Sequence, residues 1–163
     1  MVKRLKLLLA RVILWFLGRG MCACAAVDSR VQAEVRDWTE GVRLTMQVAP
    51  AGPAMTVEKR AGRLRFLGAR SVDAADLVIT FKHIEAALPI LLGMTSVAQG
   101  YAERRMTMKG DLTFGLSVVR VVLVTEAYLF PGLITRRIMQ RVPVREVSML
   151  RVYLSTALAP HGR

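Results

Sequence analysis

Residues 75–112 read ADLVITFKHIEAALPILLGMTSVAQGYAERRMTMKGDL, and the changes of period within them set out the fold. The stretch 75–82 is a short, strongly apolar run of strand type. From His83 to Leu92 the apolar positions Ile84, Leu88, Leu91 and Leu92 recur at helical spacing. Pro89 inside that run predicts a kink or break, and Gly93 is a stop. Thr95 or Ser96 caps a second helix carrying Val97, Tyr101 and Ala102. Arg104–Lys109 returns to alternation, Met106 and Met108 against Thr107 and Lys109, which predicts another strand. Gly110-Asp111 turns the chain, with Asp111 an N-cap for the segment 112–130. That segment reads two ways. Leu112, Leu116, Val119, Leu123 and Phe130 share a helical face, but Val118, Val119, Val121, Val122 and Val124 are β-branched and lower helix propensity.

Upstream, Val42, Leu44, Met46 and Val48 alternate with Arg43, Thr45 and Gln47, a half-buried strand. Pro50-Ala51-Gly52-Pro53 is a turn. Met55–Lys59 and Leu64–Leu67 supply two more strands around Gly62, with Arg63 and Arg65 facing outward. Before them, Val27, Val31, Val35 and Trp38 fit a helix with Asp28 as N-cap, although Val31, Ala33 and Val35 also alternate.

The chain has 163 residues, 53% of them apolar and 22% charged, which suits one domain and excludes a disordered tail or a collagen. A chain of this size buries about two-thirds of its unfolded surface. Its net charge of +12 is uneven: residues 1–30 and 131–163 each carry +5, and the hundred residues between them +2. Both basic ends are also rich in aliphatics. That combination points to an anionic membrane surface rather than to nucleic acid.

Residues 1–26 form the first greasy, basic segment. Only seven uncharged residues, Val12–Gly18, separate Arg11 from Arg19, whereas a spanning helix needs about 20 apolar residues. On a helical wheel Arg4, Arg11 and Arg19 share a sector with Trp15, while Leu5, Leu9, Val12, Ile13 and Phe16 lie opposite. This suits a helix in the membrane interface or a short tilted anchor, with Trp15, Phe16, Arg4 and Arg11 at the membrane. Two other readings stay open: a signal peptide ending near Ala23-Cys24-Ala25, or a helix packed on its own domain. Cys22 and Cys24 are too close for an unstrained disulfide. With only His83 and His161 as histidines, they lack partners for a metal site. They read as small apolar residues, with lipidation the functional alternative. The arm 131–163 opens with Pro131-Gly132. It carries Arg137, Arg141 and Arg145 four apart, and Val147, Leu150, Leu154 and Leu158 as an apolar stripe. Arg137 and Arg141 are its membrane-facing residues, against the reading of a solvated basic face.

No nucleophile elbow, phosphate loop, dinucleotide fingerprint or zinc-protease motif is present. The chain is read as a non-enzyme without metal or cofactor. His83, at a strand-to-helix junction, reads as a cap. Glu126 is the odd charge in an apolar segment: it pairs with Arg120 or an arm arginine, or else touches a ligand headgroup.

Ala75-Asp76-Leu77-Val78-Ile79-Thr80, the helix closing at Gly93, the small-residue helix and Arg105–Leu112 together resemble the core of the sterol-carrier-protein lipid-binding domain. The strands from Val42 to Leu67 match its first three, so the resemblance covers about residues 40–125. It rests on the order of the pieces, since Lys109-Gly110-Asp111 alone is a weak motif. It implies an α+β fold, a five-stranded, mainly antiparallel sheet covered by helices around an apolar tunnel for acyl chains, sterols or isoprenoids. Some bacterial relatives hold quinone intermediates near the membrane. Both greasy ends depart from a minimal family member.

The expected division is therefore 1–26 membrane-associating helix, 27–130 lipid-binding domain and 131–163 basic amphipathic arm. The expected tunnel lining is Met46, Phe81, Ile84, Leu88, Leu91, Tyr101, Met106, Met108, Leu112, Leu116, Val119 and Leu123. Met55 and Met94 are further adaptable side chains. The expected function is binding of a long apolar lipid at a membrane surface, at the cytoplasmic face of a bacterial inner membrane, as carrier or presenter. The partners are then a lipid or isoprenoid ligand and an anionic membrane, not nucleic acid. The alternative is a scaffold or assembly subunit whose apolar arms bind partner proteins or a second copy.

Overall fold

The period-two stretches become strands and the period-3.6 stretches become helices. In a computed structural model, which describes residues 2–71, 74–129 and 154, α1 (Val2–Val27) and α2 (Ser29–Asp37) come first. They are followed by β1 (Arg43–Val48), β2 (Ala54–Arg60) and β3 (Arg63–Gly68). Then come β4 (Leu77–Phe81), α3 (Ile84–Leu91), α4 (Val97–Ala102), β5 (Met106–Lys109) and α5 (Leu112–Leu129). The sheet order is β3-β2-β1-β4-β5. Its neighbours are antiparallel except β1 and β4, which run parallel with Leu44 opposite Leu77 and Met46 opposite Ile79. The fold is thus α+β with a mainly antiparallel sheet, mixed at one pair. The arm from 131 onward, with Arg137 and Arg141, lies outside the described residues except for Leu154, which is exposed.

Alternation gives the sheet two unlike faces. Leu44, Met46, Val48, Met55, Val57, Leu77, Ile79 and Phe81 are buried in the core shared with the helices. The opposite face carries side-chain pairs: Thr45 and Thr56 hydroxyls at 2.8 Å, Gln47 Nε2 donating to Thr80 at 3.1 Å, and Arg43 Nε donating to Glu58 at 2.9 Å. The turn after β5 requires its glycine. Gly110 has φ +134°, and a Cβ there would stand 2.3 Å from the Asp76 carbonyl oxygen. Asp111 then caps α5, its Oδ1 accepting from the Phe114 N–H at 2.7 Å. Asp28 caps α2, His83 caps α3 and Ser96 caps α4. Pro89 does not end α3. The helix continues to Leu91, and the Pro89 carbonyl accepts from the N–H groups of Met94 and Thr95 just beyond it.

Residues 112–129 are helical despite their valines, because Val118, Val121 and Val122 are buried in the core and burial outweighs propensities of a few tenths of a kcal/mol each. The first helix is part of that same core. Ala10, Leu14, Leu17, Met21 and Cys24 of α1 are buried among the strands and α5. Gly18 lets the helix sit close to the sheet, since a Cβ there would lie 2.7 Å from the Phe66 ring. By length and composition α1 and α5 could each cross a membrane, but half of each is buried inside the domain. They are core helices on one side.

This packing predicts unequal costs along α1. Leu14→Ala, at a fully buried site, is expected to cost about 3 kcal/mol. Leu8→Ala, at a site 56% exposed, should change stability by less than about 0.5 kcal/mol. Chemical denaturation of the two variants checks the contrast.

Candidate functional site

Two apolar spaces meet at α1, α3 and α5. The inner one lies between sheet and helices and is lined by Met46, Ile79, Phe81 and Met106 from the strands and Ile90 and Leu91 from α3. Val97, Leu17 and, on α5, Val118, Val119, Val122 and Glu126 complete it. Its volume is about 20 Å³, room for about one water. The outer one is an open groove of about 240 Å³ lined by Val12, Ile13, Phe16, Leu17, Leu91, Glu126 and Leu129. Leu17, Leu91 and Glu126 belong to both linings, so they form the wall between core and groove.

The space expected as a tunnel is therefore nearly closed in this structure, because Leu17 of α1 occupies its helix side. Of the expected lining, Met46, Phe81, Leu91, Met106 and Val119 come together there. Ile84 is buried and Leu88 and Met108 are half-buried against the core nearby; Leu123 is half-buried. Tyr101, Leu112 and Leu116 are instead exposed, as is Met94. The reason is helix phase. α5 turns its valines inward and its Leu112–Leu116 stripe outward. α4 turns Gly100 inward, where a Cβ would meet the Ile90 side chain at 2.4 Å, and so sends Tyr101 out.

Glu126 does not pair with Arg120. Arg120 grips Glu34 instead, its Nη2 donating at 2.9 Å. The Ser117 hydroxyl donates to the same carboxylate at 2.5 Å and in turn accepts from Trp38 Nε1 at 2.7 Å. The hydrogen bonds from Arg120 hold the Glu34 carboxyl below its ordinary range. A second clamp ties the opposite end of α5: Tyr128 Oη donates to Asp28 at 2.7 Å, and Arg30 Nη2 donates to the same carboxylate at 2.7 Å. Burial alone would raise Asp28, but the hydrogen bonds from Arg30 and Tyr128 prevail and hold it low. Both clamps leave Glu126 without a hydrogen bond or ion pair among the described residues. It is 5% exposed, and burial pushes its carboxyl from 4.5 up to about 8. The sequence marks this residue as odd; the packing shows that Arg120, one of its expected partners, is engaged elsewhere, while the arm arginines lie outside the described residues.

The other face of α1 stays outside the core. Val2, Leu5, Leu8, Leu9, Val12 and Phe16 are all exposed. On a helical wheel Leu5, Leu8, Leu9, Val12 and Phe16 fall in one sector, and Val12 and Phe16 also line the groove. Arg4 and Arg11 beside them are exposed. Trp15 is half-buried, edge-on to Phe16 at 5.0 Å, with the Arg19 guanidinium 4.9 Å over its ring. Burial pushes the Cys22 and Cys24 thiols up to about 12, which keeps both protonated and slow to react.

No family model matches the sequence, and no curated protein matches it. Among solved structures the chain is similar to a UbiJ-SCP2 ubiquinone synthesis protein, at 14% identity and a TM-score of 0.46, over 72% of this chain and 96% of that one. It is also similar to sterol carrier protein 2 like 2 from Aedes aegypti, at 15% identity and a TM-score of 0.37, over 61% of this chain and 95% of that one.

The buried carboxyl gives a pH signature. The unfolded chain releases this proton near the ordinary glutamate value, whereas the folded chain holds it until about pH 8. Between those values rising pH favours the unfolded state, by up to about 1.4 kcal/mol per unit. Glu126→Gln removes the effect. Its advantage in Tm over the wild type is expected to be small at pH 4, to grow up to about pH 8 and then to level off. Parallel Tm curves for the two proteins would refute this.

Proposed function

We propose that the protein binds a long apolar lipid, of sterol, fatty acyl or isoprenoid type, and presents it at a membrane surface without transforming it. The observation that supports this best is a continuity. The exposed apolar stripe of α1 runs into the groove, and the groove shares a wall with the apolar interior. A soluble protein rarely leaves such a stripe bare unless something covers it. Arg4 and Arg11 flank it, and each basic side chain near an anionic surface adds about 1 kcal/mol of attraction. The groove takes one end of a ligand, since cavities that enclose a small molecule measure about 300–1,000 Å³ against about 240 Å³ here. Opening of the wall at Leu17 and Leu91 would extend it toward the sheet. The basic arm from residue 131, with Arg137 and Arg141, adds a second contact, and anionic lipid suits the cytoplasmic face of a bacterial inner membrane.

Native mass spectrometry with lipid extraction, on protein purified gently from its own cells, is expected to show a stoichiometric long-chain lipid. An empty protein that co-purifies at fixed ratio with another polypeptide would replace this reading with that of a scaffold subunit. Flotation with vesicles containing anionic phospholipid tests the surface. Replacing Leu5, Leu8 and Leu9 by Ser is expected to abolish flotation while leaving Tm within a few degrees, because all three are exposed.

A further inference from the structure

Among the described residues, Glu126 is the one polar residue in the linings of both the inner space and the groove. It is nineteen-twentieths buried and has no polar partner among the described residues. Among the described residues no fully buried side-chain oxygen or nitrogen lacks a hydrogen bond, so the Glu126 carboxyl keeps a narrow opening. A polar group this largely desolvated without a partner still bears part of a cost of about 1–3 kcal/mol. Leucine in its place would fill the same wall at no such cost. A protonated carboxyl offers one O–H donor together with acceptor capacity. Among the described residues neither lining contains Lys, Arg or His, so these walls offer an anionic head no counter-charge. A head carrying an uncharged oxygen would satisfy the carboxyl without burying a second charge.

From this juxtaposition we propose that Glu126 is the polar contact of the site, donating a hydrogen bond to the carbonyl, ester or hydroxyl oxygen of an uncharged lipid head, while the tail lies along Val12, Phe16 and the α1 stripe. The ligand then enters head first, and its tail remains in contact with the bilayer. The inference rests on the lipid-binding reading and narrows it to long-chain molecules with a neutral, oxygen-bearing head.

The test uses the full chain and two fluorescent probes of equal length: a pyrene-tagged alkane and the corresponding pyrene-tagged methyl ester. The wild type is expected to bind the ester more tightly. Glu126→Leu should weaken ester binding by about tenfold, the equivalent of one lost hydrogen bond, and leave alkane binding unchanged. Glu126→Gln keeps an N–H donor and should stay within about threefold of wild type for both. The alkane serves as the folding control, since both variants remove a buried unpartnered acid and should be at least as stable as wild type. Equal loss of both probes in Glu126→Leu, or loss of neither, overturns the assignment of Glu126 while the lipid-binding reading stands. Failure of the wild type to bind either probe overturns both.

Discussion

The fold depends on how α1 seats against the sheet and α5. Leu14 and Met21 are fully buried in that contact, and each such side chain contributes about 1.5–3 kcal/mol. Two glycines permit the approach. At Gly18 a Cβ would strike the Phe66 ring, and at Gly20 it would lie 3.0 Å from Thr125 and Leu129 side-chain atoms. Without α1, the apolar face of the sheet and the inner side of α5 would lose their cover together. A helix that composition alone would set aside as an anchor is thus a structural layer of the domain.

The same seating creates the site. Because α1 is apolar on two sides, satisfying the core with one leaves the other at the surface, next to the groove walled by Leu17, Leu91 and Glu126. The interior that remains is close to fully packed, as native cores are. Binding a large ligand then requires movement of the wall residues rather than occupation of a ready tunnel. Met46 and Met106 on the inner side are suited to such repacking, since a thioether chain adapts its shape at low cost.

The phase of α5 is set by polar contacts. Its residues are apolar on most sides, so periodicity supports either the Leu112–Leu116–Leu123 stripe or the Val118–Val121–Val122 stripe as the inner face. Ser117 and Tyr128 decide between them, because each reaches a partner on α2 or its cap: Trp38 and Glu34 for Ser117, Asp28 for Tyr128. These contacts bridge 79 to 100 residues of sequence, a separation at which no local pattern reports on pairing. Arg120 is drawn to Glu34 by the same rotation, and this leaves Glu126 in the wall without a partner among the described residues.

Local chemistry therefore determined the elements. Alternation wrote the strands, Asp28, His83, Ser96 and Asp111 capped the helices, and Gly110 marked a turn that only glycine fills. The antiparallel meander of the first three strands followed from the order of those pieces, and the five-stranded, mainly antiparallel sheet from the resemblance. The tertiary structure decided which side of each greasy helix is inside, because hydrophobic burial is non-directional and an all-round apolar helix carries no phase of its own. It also decided that Tyr101, Leu112 and Leu116 face solvent, that the first helix joins the core, and that the carboxyl of Glu126 is buried in the wall of the groove.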